Sequence, residues 1–385
     1  MKGNGVSGNS NPSRRVGALF DGARDWWATA KAWQRYALYL AALVFALILP
    51  APWIGSFMSP GADWTSVLIF PIGTYILLAI GLNVVVGQAG LLDLGFVAFF
   101  AIGGYSVAYF GTQYGWNYWA TAVFGIILAA VSGVILGAPT LRLRGDYLAI
   151  VTLGFGEIVR IVANNTDEIG GARGITNIPH PPEMFGMKFL LDPAPYYYLM
   201  VAAIAVVIIF SVRLQKSRVG RAWAAIREDE DAAELMGVPT FKFKLLAFAI
   251  GAMIGGLAGG IYAGKAVFIE PNTFPFILSA TILAAVVLGG SGNLPGVMLG
   301  AFIIAWLPER FREAGWLKDL LGRDPAEYRI LLFGGVLVLM MALRPEGLLP
   351  SRRRRAELQE GTGGMGAMGA EVAGPDSEAS SEVSK

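Results

Sequence analysis

Residues 69–87, IFPIGTYILLAIGLNVVVG, run for nineteen positions without a charged side chain. Coiled as a helix, a stretch of this length crosses the roughly 30 Å hydrocarbon layer of a bilayer. Comparable stretches recur at 36–57, 64–86, 90–110, 119–138, 147–163, 196–212, 245–264, 273–289, 296–308 and 329–343. Lipid offers no partner to a peptide N–H or C=O, so long apolar runs that cross it must be helical. The expectation is an all-α polytopic membrane protein of about ten transmembrane helices. Those at 147–163, 273–289, 296–308 and 329–343 are short enough to be tilted, broken or only partly inserted. Composition agrees: 55% of residues are hydrophobic and 15% charged, where a soluble domain carries roughly a quarter charged.

Lys and Arg set the orientation, because they collect on the cytoplasmic side. With ten spans and an inner N-terminus, segments 1–35, 139–146, 212–244 and 344–385 hold 21 basic residues and the opposite loops hold 8. Both termini are expected in the cytoplasm. The loop 309–329 runs against the trend, its five bases balanced by five acids. It is an outer amphipathic segment, or the last spans are wrongly drawn. Residues 1–35 read as a cytoplasmic segment in which Trp26, Trp27 and Trp33, interleaved with Arg24, Lys31 and Arg35, suit an interfacial helix. No cleavable signal peptide is evident ahead of the first apolar run. Residues 36–345 form the transmembrane domain. Over 346–385, Arg352–Arg355 anchor the inner face and a Gly/Ala/Ser/Glu tail should be disordered. Beside a lipid span the four arginines do not read as a nucleic-acid patch.

Whole classes of chemistry are missing. The chain has no cysteine, and His180 is its one histidine, which excludes thiol chemistry, cysteine-held clusters and a multi-histidine metal site. Gly259–Ala266 has the spacing of a phosphate-binding loop up to Lys265. It lacks the Ser or Thr that would hold magnesium and ends an apolar helix instead of following a strand, so it is rejected as a nucleotide site. No catalytic constellation is found.

Polar groups inside the spans remain. Asn83, Gln88 and Asp93 flank or sit in VVVGQAGLLDLG, and Glu157 and Arg160 lie three apart in LAIVTLGFGEIVRIVANN. Such groups are expensive in lipid and mark an aqueous path by default. A plain intrahelical ion pair explains Glu157 and Arg160 as well, and a helix-start residue explains Asp93 as well. The glycine-rich 87–95 has a loose echo in GGSGNLPG at 289–296, which carries Ser291 and Asn293. Paired glycine clusters are read as broken helices beside a path or as close helix packing.

The runs LNVVVGQAGLLDLGFVAFFAIGGYSVA (82–108), PTLRLRGDYLAIVTLGFGEIVR (139–160), GGARGITNIP (170–179), SRVGRAWAAIREDEDAAELMGV (217–238) and EPNTFPFILSATILAAVVLGGSGNLPGVMLGA (270–301) together resemble LivM-type permeases of branched-chain amino-acid ABC importers. The resemblance covers roughly 60–345. It implies a subunit in the bacterial inner membrane beside a second, homologous permease, two cytoplasmic ATPase subunits and an external substrate-binding protein. ATP and Mg would be bound by the ATPases, and this chain would hold no cofactor. Permeases for urea and short amides look similar. The residues Asp231-Ala232-Ala233-Glu234-Leu235-Met236-Gly237 resemble the family's coupling segment, with Asp in place of Glu at its first position.

The physical pattern fits a single helix over 219–237. Val219, Ala222, Trp223, Ile226 and Ala233 can share a stripe, with Arg227, Glu228, Asp229 and Glu230 elsewhere. Gly237 suits a left-handed cap and Pro239 blocks continuation. Such a helix could lie on lipid head groups, but its acids suit a protein partner better than an anionic leaflet. Gly220, Arg221, Ile226, Glu228, Asp229, Asp231, Ala232, Ala233 and Gly237 are the candidate coupling residues. Asn83, Gln88, Asp93, Glu157, Ser291 and Asn293 are the candidate path residues. The rival readings are an ion-coupled secondary transporter, which needs a midplane ion site, and an intramembrane enzyme, which lacks any nucleophile–base pair.

Overall fold

The computed structural model describes residues 44–58, 63–141, 143, 146–183, 186, 188–189, 192–313, 334–335, 338 and 347–349. The chain divides into two compact units, Met1–Ile54 and Gly55–Lys385. Of the first, residues 44–54 are described and include a helical turn at 44–48. The aromatic-basic N-terminal segment, the arginine anchor and the tail lie outside the described residues. So do most of the expected span 329–343 and the first part of 36–57.

The second unit is built from α1 (Trp64–Gln88), α2 (Val97–Gln113), α3 (Tyr118–Thr140), α4 (Asp146–Asn165), α5 (Ala194–Lys216), α6 (Arg218–Glu228), α7 (Glu230–Leu235), α8 (Thr240–Ala266), α9 (Phe276–Gly289) and α10 (Leu294–Glu313). Among the described residues no strand occurs. One isolated bridge ties Ile175 to Ile269, with N···O distances of 2.9 and 3.1 Å in the two directions, and joins the loop after α4 to the loop after α8.

Six segments among the described residues are long and apolar enough to cross a membrane: Trp64–Gln88, Tyr118–Thr140, Tyr147–Asn165, Ala194–Lys216, Thr240–Ala266 and Pro271–Gly289. The expected 90–110 span is a shorter helix, α2, that begins only at Val97. The expected 296–308 span is α10, which runs on through Glu309 and Arg310 and so ends in polar residues.

Helix α8 is the hub. It packs most extensively on α3 and α2 and also meets α1, α5 and α6. The cause is its sequence, GAMIGGLAGGIYAG over 251–264, which puts a glycine wherever another backbone comes close. A methyl group at Gly259 would sit 2.0 Å from the Phe100 carbonyl oxygen, and one at Gly103 would sit 2.1 Å from that of Gly256. Close packing is therefore the role of these glycines.

The glycines of 87–95 do something else. Helix α1 ends at Gln88 and the chain stays unwound to Phe96. Gly90 has a φ of +73°, a conformation that an L side chain rarely adopts. The freed backbone groups find other partners. Leu94 N–H donates to Thr152 Oγ1 of α4 at 3.0 Å, Gly95 N–H to Asp93 Oδ1 at 2.9 Å, and Val97 N–H to Ser279 Oγ of α9 at 3.0 Å. Near its other end α1 is interrupted at Phe70, whose φ of −139° and ψ of 123° are extended. The cause is Pro71, which pushes the preceding residue out of the helical region and brings no N–H of its own.

The helix expected over 219–237 is two helices. Asp229 is extended, with φ −155° and ψ 113°, and its Oδ1 accepts the Ala232 N–H at 3.0 Å, so it caps α7 instead of continuing α6. A short carboxylate offers the backbone this alternative to the helix ladder. The expected left-handed cap is present at Gly237, with φ +84°.

Candidate functional site

The two glycine-rich breaks, far apart in sequence, meet in the fold. Asn83, fully buried near the end of α1, accepts the Gly292 N–H at 2.8 Å through Oδ1. Gly87 makes the approach possible, since a Cβ there would lie 2.0 Å from Asn83 Oδ1 and 2.5 Å from Gly292 N. Gly292 belongs to the non-helical turn Gly290–Asn293 between α9 and α10, where Ser291 is buried. Asn293 Nδ2 donates to the Leu349 carbonyl at 2.7 Å, and Leu348 and Leu349 N–H groups return bonds to Leu288 and Gly289. Asn83 Nδ2 and both amide atoms of Gln88 are buried with no hydrogen-bond partner among the described residues. Each such group costs about 1–3 kcal/mol to leave unmade.

Asp93 lies in the unwound stretch and is fully buried. It does not start α2, which begins four residues later. Its Oδ1 holds the Gly95 N–H, and Oδ2 has no partner among the described residues. Gly95 packs into α4 between Thr152 and Gly156. Glu157 and Arg160 are paired on the same helix, with Oε2 2.8 Å from Nη2 and 2.9 Å from Nε, and each side chain is about one-third exposed. The ion pair expected from their spacing is there.

The charged pair α6–α7 has two unlike faces. Ala222, Trp223, Ile226 and Ala233 are buried against the rest of this chain. Trp223 Nε1 donates to the Phe243 carbonyl at 2.7 Å, and Lys244, itself only 4% exposed, forms an ion pair with Glu230. Both links run to the first turn of α8. Gly220 serves the tight turn from α5, because a Cβ there would be 2.4 Å from the Gln215 carbonyl oxygen. On the other face Arg221, Glu228, Asp229, Asp231, Ala232, Glu234 and Gly237 are exposed. Leu235 and Met236 stand out at 89% and 85% exposed, more than any other large hydrophobic residue described.

The candidate coupling residues therefore divide. Gly220, Ile226 and Ala233 turn inward, while Arg221, Glu228, Asp229, Asp231, Ala232 and Gly237 turn outward. Sequence reasoning missed the exposed Leu235–Met236 pair; Leu235 falls off the buried stripe at helical spacing and could have been found by that test, while Met236, three residues after Ala233, could not. It also grouped Arg227 with the outward charges. Arg227 reaches inward, and its Nη1 donates to the Gly87 carbonyl in the last turn of α1.

An all-helical, multi-pass protein with polar side chains gathered where its helices break is, in class, a membrane transport protein. Residues 65–341 match the family described as branched-chain amino acid transport system, permease component, and the chain belongs to that family. It is 42% identical over 311 residues to the high-affinity branched-chain amino acid transport system permease protein LivM of Escherichia coli (strain K12), a match covering 74% of this chain and 70% of that protein. It is 26% identical over 270 residues to the fructose import permease protein FrcC of Rhizobium meliloti, covering 68% and 72%. It is 25% identical over 294 residues to LivH of Escherichia coli (strain K12), covering 72% and 91%. No solved structure matches the chain.

Proposed function

We propose that this chain is one of two homologous permease subunits of an ATP-driven importer of branched-chain amino acids in a bacterial plasma membrane. Two cytoplasmic ATPase subunits bind ATP and magnesium, and an external binding protein delivers the substrate. The observation that carries the reading is the pair α6–α7, fixed to α8 on one face by Trp223 and by the Lys244–Glu230 pair and presenting acids and two bare apolar side chains on the other. An acidic face with an apolar knob fits a protein partner and is a poor match to anionic lipid.

On this reading the fold has about ten spans, with α6–α7 and both termini in the cytoplasm, as the 21-to-8 division of basic residues supports. The junction of Asn83, Gln88, Ser291 and Asn293 lies beside the path, its unpaired amides being met by water or substrate in other states. Asp93 and Glu157 flank the same path where the unwound segment rests on α4. The names of LivM and LivH support the two-permease arrangement and the substrate class. The test is uptake into vesicles holding the reconstituted complex with ATP inside the ATPase compartment. Labelled leucine should accumulate and be displaced by isoleucine and valine but not by urea, short amides or fructose. Displacement by urea or fructose alone would overturn the substrate assignment.

A further inference from the structure

We propose that Arg227 is the positioning residue through which α6–α7 holds and moves the end of α1 and the start of the unwound segment, Gly87–Gly90; the proposal rests on the reading of α6–α7 as the ATPase-facing pair. The Gly87 carbonyl oxygen is one that the end of α1 leaves over. The N–H groups beyond it turn back elsewhere, Ala89 to the Val84 oxygen at 3.2 Å and Leu91 to the Val85 oxygen at 3.1 Å. Arg227 Nη1 supplies a charged donor to Gly87 in their place, from a residue 140 positions away.

The stem of the side chain is engaged as well. A Cβ at Gly90 would lie 2.9 Å from Arg227 Cγ and 3.3 Å from its Cβ, so the chain at Gly90 runs directly against the arginine. The helix that carries Arg227 cannot slide freely under it. Trp223, one turn earlier, is bonded to the Phe243 carbonyl, and Glu230, three residues later, is paired with Lys244. A push on the exposed face of α6–α7 is therefore delivered to Gly87 and Gly90 by a side chain clamped at both ends. Those residues adjoin Asn83, Gln88 and Gly292, the junction of the two breaks. A merely structural arginine would stabilise the end of α1 without relaying motion.

The chain has no native cysteine, which makes the test direct. In the complete complex, with Gln88→Cys as the reporter, trapping ATP on the ATPases should change the labelling rate by a small polar thiol reagent several-fold. Adding Arg227→Met should abolish that change and lower uptake at least tenfold, with the ATPases still co-purifying. Arg227→Lys should restore part of both. Normal uptake and an undiminished labelling response in Arg227→Met would overturn the proposal, and so would an Arg227→Lys variant that restores neither. Absence of ATP-driven uptake in the unaltered complex would instead overturn the function on which it rests.

Discussion

Replacing Gly259 by alanine adds one methyl group where α8 and α2 pack backbone to backbone. The new carbon would lie 2.0 Å from the Phe100 carbonyl oxygen, 2.6 Å from Gly104 N and 3.1 Å from the Phe100 carbonyl carbon, all of them backbone of α2. No side chain can swing aside. To reach an ordinary contact of about 3.4 Å, α2 and α8 must separate by more than an ångström, and a shift of that kind costs about 1–3 kcal/mol or more. Gly260 is the internal control, one residue along the same helix. A methyl there meets Val107 Cγ2 at 3.4 Å and nothing closer, so Gly260→Ala should cost little. Gly103→Ala attacks the same interface at 2.1 Å from the Gly256 carbonyl oxygen. Once the helices have moved apart for one methyl, the second meets less resistance, so the double variant should lose less than the two single losses added. Equilibrium unfolding in mixed detergent reads all four variants on one scale. The packing argument fails if Gly259→Ala is as stable as Gly260→Ala, or if the double variant is fully additive.

Glu230→Ala leaves the buried Lys244 ammonium without its carboxylate; Glu230 stays about a quarter exposed, so the loss should be about 1–3 kcal/mol and not that of a wholly buried pair, as the same unfolding assay would show. Trp223→Phe keeps one aromatic ring but removes the indole N–H that bonds the Phe243 carbonyl and leaves part of a fully buried site unfilled; it should cost about 1–3 kcal/mol while loosening coupled hydrolysis. Charge reversal at Glu228 and Asp231, both exposed, should weaken ATPase co-purification in a salt-dependent way, and association unchanged between low and high salt would speak against an ionic face. Single cysteines place the topology: Ser217→Cys, at the turn into α6, should resist an impermeant reagent added to intact cells and react once the membrane is opened.

Six of the ten expected spans have counterparts among the described residues, because spanning runs of apolar residues need no tertiary partner to be recognised. The charged segment and its left-handed end at Gly237 were legible for the same local reasons. The unwinding of 89–96 was legible only in part: the glycines of 87–95 allowed a broken helix, while Leu91, Leu92, Leu94 and Phe96 also suited a span from residue 90. What keeps them from coiling is Thr152, Ser279 and Arg227. Those donors and acceptors come from three other helices and leave no local trace. Asp229 is a different case. An aspartate followed three residues later by the N–H it can cap is a local signal, and the continuous charge on either side hid it. The likeness of 87–95 to 289–296 was suggested by their glycines, while their meeting, through the bond between Asn83 and Gly292, could only be seen in three dimensions.

The central claim is that the outer face of α6–α7 turns ATP hydrolysis into transport. It is tested most directly by measuring uptake and hydrolysis in the same vesicles for a chain carrying Glu228→Lys, Leu235→Ser and Met236→Ser. All three side chains are exposed, Leu235 and Met236 more than any other large hydrophobic residue described, so the variant should insert and unfold like the unaltered chain. Uptake and the stimulation of hydrolysis by loaded binding protein should then fall together, at least tenfold. Normal uptake by this variant, above all uptake driven by an ion gradient without ATP, would make the helix pair a passive surface and the protein an ion-coupled transporter.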